Sequence, residues 1–565
     1  MVAAALMPIL FAIGCQPPAP PALPTDAQDA CPLSATTFAG WFQSNSPSLN
    51  GVVNPANSLL NLNPDCGFYQ WSEQMFLWLN SPAPAVYGGG SRIFDSPAFY
   101  DVSPPDASGN RTLLAHSSGR FSIFPLRIAK LGPDRLPVIL DRSGRLFEAR
   151  PVNPALKPIV RDPSGNLVEI AHVRVERDRP VFLDQQGNII LAQHASTPLA
   201  NLDRKEGSGT PIVQKFIVDR FPLFIDPSLA VIDVEQGQAE TDSVLEAQTT
   251  ANGSLVYYAT MVNDVYAYFL TGMKDGAITT NPANEFPTTP TDLTNIQTFA
   301  AAHGKPSFPD PNALAIEVKS SWVIAASLPN VGNYITMTAT IPTYDTTNPQ
   351  LWKNTGQQTV LLALVGMHVV GSTAGHPEMV WATFEHTGNA PLAAYSYTST
   401  TGTKTVAQDT SPAWLFAASG SANPFNTPHM SFTGPSGTPP NAIQANPTFS
   451  ISPSNTLRVE PFGVDGSNLF ENTEVLSTNN HVLSMLTPGD IRGNYFMTGA
   501  TWTPFGSNPS GSNQGVGTNK LANSTMETYA QGSNCFSCHQ NINNPVPAVP
   551  TTQISHIFPG IQPLF

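Results

Sequence analysis

Close to its C-terminal end the chain reads "NCFSCHQNINN", in which Cys535, Cys538 and His539 spell C-x-x-C-H. That spacing is the attachment signature of a c-type haem. Two thiolates add to the vinyl groups of the porphyrin, and the adjoining imidazole is obliged to serve as an axial iron ligand. Only the 26 residues from Gln540 to Phe565 follow the motif. So short a stretch is not expected to wrap a haem, so the residues before the motif must supply most of the pocket. A C-x-x-C without haem would be a redox pair or half a zinc site. No second C-x-x-C exists, however, and no βαβ pattern surrounds this one.

Composition says what kind of scaffold comes before the motif. Of 565 residues only 12% are charged, while 55 are Pro and 41 are Gly. Low charge with many turn formers points to a turn-rich, β-rich extracytoplasmic protein. The 41% of hydrophobic residues is enough for a substantial core. The fold expected is mainly β: a large β-rich body of sandwich or hairpin sheets, few helices, and a C-terminal haem-bearing segment. A net charge of −14 argues against nucleic acid as a partner.

The first residues, "MVAAALMPILFAIGC", form an apolar stretch too short to span a bilayer as a helix. Small residues just before Cys15 resemble a lipoprotein cleavage site, which would leave Cys15 acylated and the protein on a membrane. The alternative is an ordinary signal peptide with an incidental cysteine. "QPPAPPALPTDAQDA" then reads as an extended tether. With Cys15 lipidated and Cys535 and Cys538 on the haem, Cys31 and Cys66 remain as a disulfide pair. Closing that loop contributes about 3–4 kcal/mol in the chain-entropy picture.

These readings divide the chain into a signal peptide (1–14), a Pro-rich tether (15–35), a β-rich body (36–510) and a haem c segment (511–565). Within the body, Phe68, Trp71, Met75, Trp78 and Leu79 recur at helical spacing and predict a core helix from Cys66 to about Pro82. Four Asp-x-x-Gly turns, with Gly109, Gly144, Gly165 and Gly187, predict β-hairpins. Residues 275–312 read as a Pro/Thr/Asn-rich connector, a possible boundary between lobes. Successive strands are expected from "ALAIEVKSSWVIAAS" to "PEMVWATFEH", with surface loops over 387–450. "NKLANSTMETYAQ" is a second helix candidate, leading into the haem motif.

One polar cluster stands out. If "QTVLLALVGMHVV-GSTAG-HPEMVWATFEH" is a hairpin turning at Thr373, His368 lies opposite Glu378 and Val370 opposite His376. His368, His376 and Glu378 would then share one otherwise apolar face, where they must be paired or ligated. Three readings remain open: a self-satisfied hydrogen-bond network, a haem-facing wall, or a two-His, one-carboxylate site for a non-haem metal.

The blocks "QWSEQMFLWLN", "GHPEMVWATFEH" and "NSTMETYAQGSNCFSCH" resemble blocks of large bacterial envelope proteins of the cytochrome c type with a single C-terminal C-x-x-C-H. The resemblance covers three short islands and implies covalent haem and export, but no substrate. The function expected is that of an exported, lipid-anchored mono-haem c protein of the periplasm, outer membrane or cell surface. It would transfer electrons to a redox partner. Alternatives are a haem-dependent oxidoreductase of peroxidase or oxygenase type acting on a small molecule, with the body as substrate scaffold, and a surface binding protein with a structural haem. The axial ligand opposite His539 is expected from His376, His368 or His556. Met497 and Met526 are more remote candidates.

Overall fold

The structure, a computed structural model, describes residues 23–565 apart from 63–64, 104–109, 120–133, 135, 137, 141–145, 154–155, 177–178, 195–210, 220, 233–242, 249–252, 281–283, 412–413, 419–424, 433–441, 463–468, 507–508, 510–514, 519, 533, 540–549 and 556. The lipidation reading of Cys15 and the ligand reading of His556 therefore lie outside the described residues, as do the turns at Gly109 and Gly144.

The chain is mainly β, and a 12-stranded sheet organises it. Seven strands position the site: β1 (Phe99–Val102), β2 (Tyr257–Asn263), β3 (Ile316–Ile324), β4 (Thr336–Asp345), β5 (Leu351–Thr373), β6 (His376–His386) and β7 (Tyr495–Trp502). They pair antiparallel in the order β1-β2-β3-β5-β6-β7, and β4 shares one edge of the long β5 with β6. Along each strand, residues alternate between two faces of the sheet. Met261, Val318, Met367, Val369 and Phe384 face one side and enter its apolar core. Val262, Glu317, His368, Trp381 and Glu385 belong to the other.

Helix α2 (Cys66–Leu79) closes the apolar face, with Phe76 stacked on Phe384 at 4.3 Å between ring centroids. The predicted aromatic stripe is core, and Asn80 caps the helix by donating its backbone N–H to the Phe76 carbonyl. A disulfide joins Cys66, the first residue of α2, to Cys31, with Cα atoms 5.2 Å apart. Helix α1 (Ala35–Trp41) precedes it. The last part of the expected tether, from residue 23 on, lies against the body. There Gln28 N donates to the Thr398 carbonyl (2.9 Å) and the Tyr397 hydroxyl to Asp26 (2.7 Å).

The 275–312 connector holds a helix, Pro290–Ala302, which the Pro and Thr content concealed. Its start carries a readable signal: Thr289 Oγ1 accepts from Asp292 N, Asp292 Oδ2 accepts from Thr289 N, and Pro290 is the first helical residue. This helix (α4) and α3 (Asp264–Lys274) form an excursion between β2 and β3, which are direct neighbours in the sheet. A further helix missed in the sequence, α5 (Leu469–Met485), buries Asn472, Thr473, Ser477 and Asn479 as well as Val475.

The helix expected over 519–531 does not form in the described residues 520–531; the chain there runs in turns. Asn523 Oδ1 accepts from both the backbone N (2.9 Å) and the hydroxyl (2.6 Å) of Thr525, offering the backbone an alternative to helical pairing. Residues 387–450 are not all loop, since Tyr395–Ser399 pairs with Gly402–Val406. Two of the Asp-x-x-Gly turns are described, and both close hairpins. Gly165 and Gly187 adopt φ of +88° and +82°, and Asp162 and Asp184 accept from the backbone of Asn166 and Asn188 (2.8 Å each). Among the described residues no helix is long and apolar enough to cross a membrane.

Candidate functional site

The hairpin between β5 and β6 turns at Ala374–Gly375 rather than at Thr373, with Thr373 opposite His376. An irregularity follows between Gly371 and Thr373, and Met379 takes a left-handed φ of +69°. Because the turn is centred between two residues, His376 and Glu378 fall on the face opposite His368, and the expected cluster divides. His368 pairs across the sheet with Thr383, not Glu378. His376 and Glu378 do meet, with Nδ1 2.9 Å from Oε1.

The two histidines occupy different surroundings. The His376 ring meets the edge of Phe68 in α2 at 4.8 Å, and Phe68 stacks on Trp502 at 4.2 Å. Glu378 is fully buried. Its Oε1 also accepts from Thr503 N (3.1 Å), while Oε2 is buried without a hydrogen-bond partner among the described residues. A carboxylate only accepts, so His376 Nδ1 carries the proton and its Nε2 holds the lone pair.

His368 faces the other way. Its Nδ1 lies 2.7 Å from Thr383 Oγ1, and its Nε2 is 3.1 Å from Oε2 of Glu527, within the stretch expected to be helical. Lys319, opposite His368 on β3, reaches the same carboxylate at 3.1 Å. Burial opposes ionisation of Glu527, yet Lys319 and His368 hold its carboxyl well below the usual range. With both ring nitrogens engaged, His368 is a structural residue and a poor ligand. Two histidines and a carboxylate therefore do not converge as a non-haem metal site among the described residues. The one group there with ligand spacing, Cys31, Cys66 and Glu474, has its sulfurs in a disulfide and offers no thiolate.

The C-x-x-C-H segment lies on the same face as His368. A single helical turn, Cys535–Cys538, ends with His539 N bonded to the Cys535 carbonyl (2.8 Å). Phe536 is buried in the apolar cluster that also holds Met379, Ile554 and Phe558, its ring edge-on to that of Trp381. The His539 ring rests 4.3 Å from that of Trp381. Trp381 is itself fixed, its indole N–H donating to the Glu378 carbonyl at 2.9 Å. His539 Nδ1 lies 2.8 Å from the Ile554 carbonyl oxygen. A carbonyl can only accept, so Nδ1 bears the proton and Nε2 carries the lone pair, the tautomer an iron ligand requires. Cys535 is partly exposed. Met497 belongs to the apolar core on the opposite face, and Met526 is buried with Tyr258 and Tyr529.

Sequence reasoning missed Trp381, Ile554 and Glu527 as site residues. Trp381 looked like one more apolar strand residue, Ile554 contributes only its backbone, and Glu527 was placed on a helix that does not form. Comparison of the chain with protein-family models, with curated proteins and with solved structures finds no match.

Proposed function

We propose that this chain is an exported protein, lipid-anchored through Cys15, that binds one haem c and passes electrons to a redox partner. Cys535 and Cys538 would hold the porphyrin edge by thioethers, and His539 would be the axial ligand. The haem supplies a one-electron couple; the chain's own residues decide its orientation and exposure. The observation that carries the reading is the His539 Nδ1 contact with the Ile554 carbonyl, which leaves Nε2 as the ligating atom. Trp381 and Phe536 add an apolar wall around the motif.

The hairpin histidines do not fill the opposite axial position: His368 has both ring nitrogens engaged, and His376, its Nδ1 held by Glu378, packs on Phe68 across the sheet from His539. A second reading is a haem-dependent oxidoreductase with the large body as its substrate scaffold. Covalent haem staining tests the assignment: replacing Cys535 and Cys538 by Ala abolishes the stained band, and a surviving band refutes it. The optical spectrum separates the readings. A low-spin spectrum unchanged by cyanide supports electron transfer with a side chain of the protein in the opposite axial position. A wild-type spectrum already high-spin and shifted by cyanide supports the enzyme.

A further inference from the structure

Glu317 and Trp381 stand in one cross-strand row, Glu317 opposite Val370 and Val370 opposite Trp381. They therefore project from the same face of the sheet, about 10 Å apart at the usual strand spacing. Trp381 carries the His539 ring. Glu317 carries the residue next to the one that takes the His539 proton: Ser555 Oγ donates to Glu317 Oε2 at 2.9 Å. The carboxylate can only accept, which fixes the direction of the chain of bonds. The Tyr266 hydroxyl, 2.9 Å from Ser555 Oγ, donates into it. Tyr266, Glu317 and Ser555 are all at least nine-tenths buried.

Ile554 and Ser555 share one planar peptide group, so fixing Ser555 fixes the direction of the Ile554 carbonyl. The other side of Ile554 is held too: Glu285 Oε2 accepts from Thr551 N at 2.7 Å and from the Thr551 hydroxyl. Residues 551–555 are thus gripped by two carboxylates of the body, and the carbonyl between the grips accepts from His539.

We propose that Glu317, acting through Ser555, is a positioning residue for His539: it sets the strength of the Nδ1–H···O=C bond and through it the electron donation of the imidazole. The inference rests on the haem reading above. A firm hydrogen bond makes the imidazole more basic, which favours the oxidised metal and lowers the reduction potential.

Ser555→Ala, Ser555→Thr and Glu317→Gln are made in the full-length, haem-loaded protein. Their midpoint potentials are read by spectroelectrochemistry, and hydrogen exchange of residues 550–558 by mass spectrometry. Ser555→Ala is expected to retain covalent haem, to exchange faster over 550–558 and to raise the potential. Glu317→Gln shifts it in the same direction by less, and Ser555→Thr, which keeps the hydroxyl, returns it to the wild-type value. Faster exchange with an unchanged potential makes Ser555 and Glu317 tail anchors only and overturns the inference. Wild-type protein without covalent haem overturns both the inference and the function beneath it, and the stained gel tells that failure from the first.

Discussion

The two faces of the central sheet are closed by different means. On one, α2 lays Phe76, Trp78 and Met75 against apolar strand residues. On the other, α3 packs against β1, β2 and β3. The irregular chain from Leu521 onward crosses that face, tied to the strands by polar groups. Ser524 Oγ donates to Glu385 (2.7 Å), Ser321 and Thr525 hydroxyls meet at 2.6 Å, and Glu527 takes His368 and Lys319. Farther along, Phe536 and His539 pack on Trp381, and Ser555 on Glu317. An apolar interface tolerates small shifts, whereas a network of charged and directional bonds holds one register. The face built from directional bonds is the one on which the C-x-x-C-H segment docks.

The sharpest way to break the contrast is at Glu385 and Arg458. Both are buried, and Arg458 Nη1 contacts Glu385 Oε1 while also donating to the Ala522 carbonyl at 2.9 Å. Glu385→Ala strands a buried guanidinium and is expected to cost about 3–5 kcal/mol. A Glu385→Leu, Arg458→Met double replacement recovers most of that loss, because no unpaired charge remains. Phe76→Ala on the other face costs about 3–5 kcal/mol through the cavity it leaves, with no such partner rescue. Urea denaturation midpoints check all three. A Glu385→Ala loss below about 1 kcal/mol would mean that the polar network does not hold its face.

Legibility in the sequence follows the same division. The apolar face could be read. The 3.6-residue recurrence of Phe68, Trp71, Met75 and Trp78 marked α2 and its buried side, because burial of a helix stripe leaves a periodic trace. The strands of the sheet were legible from their β-branched runs. The polar face left no period. Ser524, Thr525, Glu527 and Thr528 look like solvated residues of an amphipathic segment, yet all but Glu527 are fully buried and it too is mostly covered. Their meaning lies in partners between about 65 and 210 positions away, such as Glu385, Ser321, His368 and Thr456. The hairpin register failed for a simpler reason: the turn is centred between Ala374 and Gly375 instead of on one residue, which puts His376 on the face opposite His368 without changing the hydrophobic pattern.

On the apolar side the disulfide is the next test. It ties the start of α2 to Cys31, so Cys31→Ser with Cys66→Ser frees a loop of 35 residues in the unfolded chain. The expected loss is about 3–4 kcal/mol, read as a lower thermal midpoint. Because the Cys535 segment docks on the other face, covalent haem staining is expected to survive this change. Loss of staining would show the two faces to be coupled more tightly than their separate cores imply.

The smallest effects separate the faces by pH. Glu527 on the polar face and His116 on the α2 face are perturbed in opposite directions. On the polar face the Glu527 carboxyl lies well below its ordinary 4.5, so its contribution is present above that pH and is lost as pH falls through the folded value. On the α2 face, His116 bridges Asp95 (Nε2, 2.8 Å) and Asp101 (Nδ1, 2.7 Å). Burial works against its charge, but the bonds to Asp101 and Asp95 prevail and push it up from 6.5 to about 9. Its contribution is therefore complete below pH 6.5 and is lost as pH rises through about 9. Glu527→Gln and His116→Gln are each expected to cost about 1–3 kcal/mol at pH 6. The Glu527→Gln deficit in thermal midpoint then narrows only on acidification, and the His116→Gln deficit only between neutral pH and about pH 10. Deficits that narrow on the same side of neutrality, or that do not change with pH, would remove the electrostatic distinction between the faces and leave only the difference in packing.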